Sequence, residues 1–142
     1  MTMTKRIIRT CLTLLFVLLA SCAAVSQKNL ALDETLLQYG KYIRWSQYES
    51  ALGLHHPQYL LDNPVSSLDV DRLNLFKVTG YAASERNISG EGNVVEQRAV
   101  IRMYHTASAR EISIAHDQLW KYDAELGRWL LHSGLPDVTT RR

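Results

Sequence analysis

The sequence predicts an α+β domain, one N-terminal helix packed on a curved four-stranded antiparallel sheet, and three observations carry that reading. Leu32, Leu36, Tyr39 and Ile43 recur at i, i+4, i+7 and i+11, the period of an amphipathic helix. From Leu73 onward the composition changes to strand formers, broken by short turns. The apolar positions of the two central strands fall on one face in a single antiparallel register, as a one-sided sheet requires.

The first 21 residues read as a segment that is removed. Lys5, Arg6 and Arg9 make the start positive, and Cys11 to Ala20 follow without a charge. That apolar run is too short for a membrane span, which needs about 20 residues, and it fits a secretory signal peptide. Leu19-Ala20-Ser21-Cys22 closes it. A branched aliphatic residue, two small residues and a cysteine resemble the lipobox of bacterial lipoproteins. The resemblance implies that the Cys22 thiol is diacylated, that the signal 1–21 is cut off, and that Cys22 becomes the first mature residue. Two or three acyl chains then hold the protein to a membrane, where a single chain would not. Ala23 stands where an aspartate would signal inner-membrane retention, so the resemblance implies the outer membrane, facing the periplasm.

Residues 22–30 read as a short polar tether. Asp33 and Glu34 suit the first turn of the helix, where acids meet the positive end of the dipole. Gly40 weakens a helix by up to ~1 kcal/mol relative to alanine, which predicts close packing at that point. Trp45, Tyr48, Ala51 and Leu52 continue the apolar face toward Gly53, and His55-His56-Pro57 stops it. Residues 57–71 hold two prolines and four Asp or Asn, and read as a structured loop with room for one helical turn, plugged by Leu60, Leu61, Val65 and Leu68.

Leu73–Ser84 is the first predicted strand and Glu85–Gly92 a turn. Val94–His105, Glu111–Tyr122 and Arg128–Ser133 are the next three strands, joined by turns at Thr106–Arg110 and Ala124–Gly127. Pairing about the first of these turns sets Met103 opposite Ile112 and Ile101 opposite Ile114. The same register sets Arg98 opposite Asp117 on the other face. Across the closing turn it predicts Tyr122 opposite Trp129 and Trp120 opposite Leu131, with Gly127 at positive φ. The domain is bounded at 31–136, and 137–142 is a tail.

Trp120-Lys121-Tyr122, the loop ending in Gly127, Arg128-Trp129-Leu130-Leu131 and Ser133-Gly134-Leu135-Pro136 resemble the closing hairpin of small bacterial envelope lipoproteins. Those proteins are similar to the cystatin-like roll, the fold of nuclear transport factor two relatives. The resemblance implies a packed hairpin rather than a catalytic motif.

Composition narrows the functional classes. The 142 residues carry 16 Lys and Arg, 14 Asp and Glu, and two cysteines. This profile excludes a collagen-like repeat, a disordered tail and a disulfide-rich miniprotein. Without the three basic residues of the signal, 13 bases face 14 acids, a net of −1, so no nucleic-acid partner is implied. No phosphate loop, dinucleotide fingerprint, nucleophile elbow or zinc-protease motif occurs, and no cofactor is expected. Adjacent His55 and His56 rarely converge on one ion, so no metal is expected either. Tyr39, Tyr42, Trp45 and Tyr48 read as packing at helical spacing.

One constellation stands out. The register sets Gln97 opposite Gln118, Ala99 opposite His116 and Val95 opposite Trp120, all on the helix-facing side. Polar groups on an apolar face need partners, so Gln97, His116, Gln118 and Trp120 either line a small ligand pocket or bond within the core. Two functions follow. One is a membrane-tethered, non-catalytic binding or assembly module with a protein or small-ligand partner in the envelope. The other is a small roll-fold enzyme with His116 as general base, a role that needs an orienting acid, whereas Asp117 points to the opposite face.

Overall fold

The computed structural model describes residues 27–139. The chain divides into two compact units, one ending at Glu34 and one beginning at Thr35. Of the first, the described residues 27–34 are all helical. Helix therefore occupies 27–30, where the sequence reads as tether, because Gln27, Lys28, Asn29 and Leu30 contain neither Gly nor Pro to stop it. The signal 1–21 and Cys22 lie outside the described residues.

Helix α1 covers residues 27–44. All four stripe residues, Leu32, Leu36, Tyr39 and Ile43, are buried. In the second unit the stretch from Thr35 packs on the sheet. A Cβ on Gly40 would sit 3.0 Å from the Tyr81 ring, the close approach that its composition predicts.

The helix does not run on through Trp45. Ser46 adopts φ 57°, its N–H donates to the Ile43 carbonyl at 3.1 Å, and the Gln47 N–H donates to the Tyr42 carbonyl at 2.8 Å. This pair of bonds is a left-handed cap, with serine in the place glycine usually takes. It turns Trp45 out to 72% exposure, against its predicted place on the apolar face. Helix α2 (Tyr48–Leu52) then buries Tyr48 and Ala51.

Residues 57–74 form two helices where the sequence reads as loop and strand. Pro57 opens α3 (Pro57–Asp62), and the His56 ring accepts the Gln58 N–H at 3.2 Å as its cap. Ser66 and Asp69 make a reciprocal capping box at the start of α4 (Ser67–Asn74). The helical period of α4 buries Leu73 and leaves Leu68 exposed, and Leu61 at the end of α3 is exposed too. Two of the four predicted plugs therefore face water.

The sheet begins at β1 (Phe76–Ala83), three residues later than predicted, because Leu73 belongs to α4. The predicted turn at 85–92 contains a short strand, β2 (Asn87–Ser89), before the single 3₁₀ turn Gly90–Gly92. Strands β3 (Val94–His105), β4 (Glu111–Asp123) and β5 (Arg128–Leu131) complete a curled antiparallel sheet of order β1-β3-β4-β5, with β2 also paired to β3. The β3–β4 register is the predicted one, including Met103 opposite Ile112 and Arg98 opposite Asp117. Tyr122 faces Trp129 and Trp120 faces Leu131 in the closing hairpin, with ring centroids of the first pair 5.5 Å apart. Gly127 has φ 64°, and the Asp123 carboxylate accepts the N–H groups of Glu125 and Leu126 within that turn.

Two further features complete the sheet. A bulge in β1 between Val78 and Gly80 shifts its register on β3 by one residue. Because strand side chains alternate, that single residue moves Tyr81 onto the helix-facing side, opposite Ile101. At the far edge, Leu131 donates to the Leu54 carbonyl at 2.8 Å and its carbonyl accepts from His56 N–H at 3.0 Å. The 54–56 segment thereby covers the edge of β5.

Candidate functional site

The helix-facing side of the sheet carries two hydrogen-bonded groups. The Tyr39 hydroxyl lies 2.9 Å from His116 Nε2, with the rings stacked at 5.8 Å. Burial pushes the Tyr39 phenol well above its ordinary value, so it stays protonated and donates to His116 Nε2. His116 is 5% exposed, and burial followed by the neighbouring His55 lowers its pKa to about 4. It is a neutral acceptor at neutral pH. The second group is a chain. Gln118 Nε2 donates to the Tyr81 hydroxyl at 2.7 Å, and the Trp120 indole N–H donates to Gln118 Oε1 at 3.0 Å. Both amide ends of Gln118 are thus satisfied, one by Trp120 of the same strand face and one by Tyr81, which the register alone does not single out.

Gln97 is less buried than Val95 and Ala99 on the same face and donates from Nε2 to the Ser84 carbonyl at 2.9 Å. It opens onto a cleft of about 710 Å³ lined by Ser84, Glu85, Glu96, Gln97, Arg98, Asp117, Gln118, Leu119, His132 and Ser133. Of the four residues singled out in the sequence, Gln97 and Gln118 line this cleft, whereas His116 and Trp120 lie in the core beside Tyr39. Most of the lining comes from the opposite face of β3 and β4 and from the chain just beyond β1 and β5.

The cleft is built on a forked ion pair. Arg98 Nε and Nη2 each donate to one oxygen of Asp117, the second at 3.0 Å. The Arg98 backbone N–H donates to Ser84 Oγ at 3.2 Å, which ties the end of β1 to the floor. Opposite, the Leu119 N–H donates to Ser133 Oγ at 3.4 Å. With Arg98 committed to Asp117, the carboxylates of Glu85 and Glu96 give the cleft an acidic balance. Its chemistry suits a ligand that donates hydrogen bonds or carries positive charge.

The two adjacent histidines have separate fates. His55 is 2% exposed, and its Nδ1 bonds the Ala51 carbonyl at 3.0 Å. His56 lies across from Asp123, with Nε2 3.5 Å from Oδ2, and its ring stacks on His132 at 4.6 Å. Because His56 Nδ1 accepts from Gln58, its proton sits on Nε2 and points at the carboxylate. The His132 pKa is lowered by desolvation first and then by the neighbouring His56 and Lys121. Sequence reasoning missed this cluster because its members are about 70 positions apart. Among the described residues no group of three or more His, Cys, Asp or Glu is placed to hold a metal ion.

No family model, no curated protein and no solved structure matches the chain. Among the described residues no helix is long and apolar enough to cross a membrane.

Proposed function

We propose that the chain is a lipid-anchored envelope lipoprotein whose domain is a non-catalytic binding module, working through the polar cleft of its sheet. The anchor rests on Leu19-Ala20-Ser21-Cys22, with a periplasm-facing outer-membrane location following from Ala23. The observation that carries the binding role is the contrast between the two faces of the sheet. Inside, His116 is enclosed and held by Tyr39, and its ring nitrogen Nε2 is spent on that bond. Outside, an open cleft of about 710 Å³ gathers an ion pair, two further carboxylates and two serines. A surface of that kind recognises by hydrogen bonds and charge, whereas a general base has to reach its substrate. The reading of His116 as a catalytic base therefore has less to support it.

The test is photo-crosslinking in intact cells, with the reactive residue at Ser84 in the cleft or at Glu111 at the opposite end of β4. A ligand or partner adduct is expected from position 84, lost on Arg98→Ala, and absent from position 111. Equal labelling from both positions, or an adduct indifferent to Arg98→Ala, would overturn the cleft as the binding surface.

A further inference from the structure

In the second unit the solvent face of α1 combines features that a water-facing helix normally avoids. Leu37 is 61% exposed and Trp45 is 72% exposed, on the side opposite the buried Leu36, Tyr39 and Ile43. Between Thr35 and Trp45 the only charged side chains are Lys41 and Arg44, both exposed, and there is no acid. Leu37, Lys41, Arg44 and Trp45 lie at i, i+4, i+7 and i+8, so they share one face. The left-handed cap at Ser46 holds Trp45 outward at the end of that face.

We infer that this face of α1 docks on an anionic phospholipid bilayer. An indole is suited to the headgroup level, with an apolar body and an N–H donor. Leu37 supplies alkyl surface beside it. Lys41 can lay its stem along the apolar surface and direct its charge to a lipid phosphate, and Arg44, whose Nη1 donates to the Thr79 carbonyl at 3.5 Å, keeps its other N–H groups for a second. The proposed lipoprotein anchor supplies the proximity, and the inference rests on that reading. Leu37 is fifteen residues from Cys22, so the two lie within about 50 Å of each other. Acylation at Cys22 therefore keeps a bilayer at high local concentration around α1, so a face too weak to recruit a membrane alone can still settle on one. Docking would also limit the orientations in which an anchored cleft meets its ligand.

The tryptophans provide the test. Trp120 and Trp129 are buried, so changes in emission on membrane contact report on Trp45. The protein is expressed from the full gene, purified with its acyl chains and reconstituted into vesicles of phosphatidylethanolamine and phosphatidylglycerol. Trp45 emission should lie to the blue of a water-exposed indole and be quenched by lipids brominated near the headgroup. The Trp45→Phe protein supplies the background from the other two tryptophans. Replacing Lys41 and Arg44 together by Glu should cut the docked population at least about tenfold while the protein stays anchored. Trp45 emission that stays red, yields to aqueous iodide and ignores brominated lipid would overturn the inference with the anchor intact. So would concentration-dependent shielding of Trp45 without vesicles, which would assign the face to a second copy of the chain. If mass spectrometry finds no acyl group on Cys22, the anchoring reading fails by itself. Docking then stands only if the unacylated chain shifts Trp45 emission on added vesicles.

Discussion

Tyr39 and His116 illustrate how much one buried pair decides. The hydroxyl and Nε2 are 2.9 Å apart in a region closed to water, so removing either leaves the other without a partner. His116→Leu should therefore destabilise by about 1–3 kcal/mol in a urea melt, even though leucine is apolar and of similar size. Protonation acts in the same direction. The folded pKa of His116, about 4, lies below the ordinary 6.5, so between those values the unfolded chain takes a proton that the folded chain refuses. Stability should be full above pH 6.5 and fall by up to about 3 kcal/mol as the pH drops toward 4. His55, also lowered mainly by burial, adds to that loss. Urea midpoints compared between wild type and His116→Gln at pH 7 and pH 4.5 read its share; an unchanged slope would assign the acid sensitivity elsewhere. Strand parity was enough to put His116, Gln118 and Trp120 on one apolar face. Their partners Tyr39 and Tyr81 were not legible, because they come from a helix and a bulged strand 77 and 37 positions away.

Among the elements, the closing hairpin was the most legible, because two aromatic residues flanking a glycine-closed turn permit one register that sets them opposite each other on one face. Trp129 is 1% exposed, and Trp129→Ala should cost ~3–5 kcal/mol, with Lys121→Ala on the exposed face costing little. The cap of α1 offers the opposite sign. Ser46 holds a left-handed conformation that costs a residue with a Cβ about 1–2 kcal/mol, partly offset by the extra freedom glycine has when unfolded. Ser46→Gly should thus raise stability by about 0.5–1 kcal/mol in thermal melts. The two helices of 57–74 were missed for a physical reason. Each is short and set up by its cap rather than by a long apolar stripe. Ser66-x-x-Asp69 and His56-Pro57 were the signals present in the chain.

For the whole molecule, the prediction of most consequence concerns its location. Cys22→Ser should abolish incorporation of labelled palmitate and leave an unprocessed precursor, and fractionation of the wild type should recover it with the outer membrane. Palmitate on the mutant would remove the basis for a tethered module. The α+β class, the β3–β4 register and the closing hairpin were determined by the sequence alone, and the proposed anchor rests on the sequence alone. The fold features depend on neighbours in the chain: antiparallel strands joined by short turns have a register set by parity and turn length. The tertiary structure decided what depends on distant segments meeting. One extra residue in β1 sent Tyr81 inward to Gly40 and Gln118, and the 54–56 segment closed the edge of β5. The cleft assembled from four separate segments of the chain, two of them strands. A bulge or a covering segment is selected by the packing it permits across the fold. No local pattern of residues specifies that packing in advance.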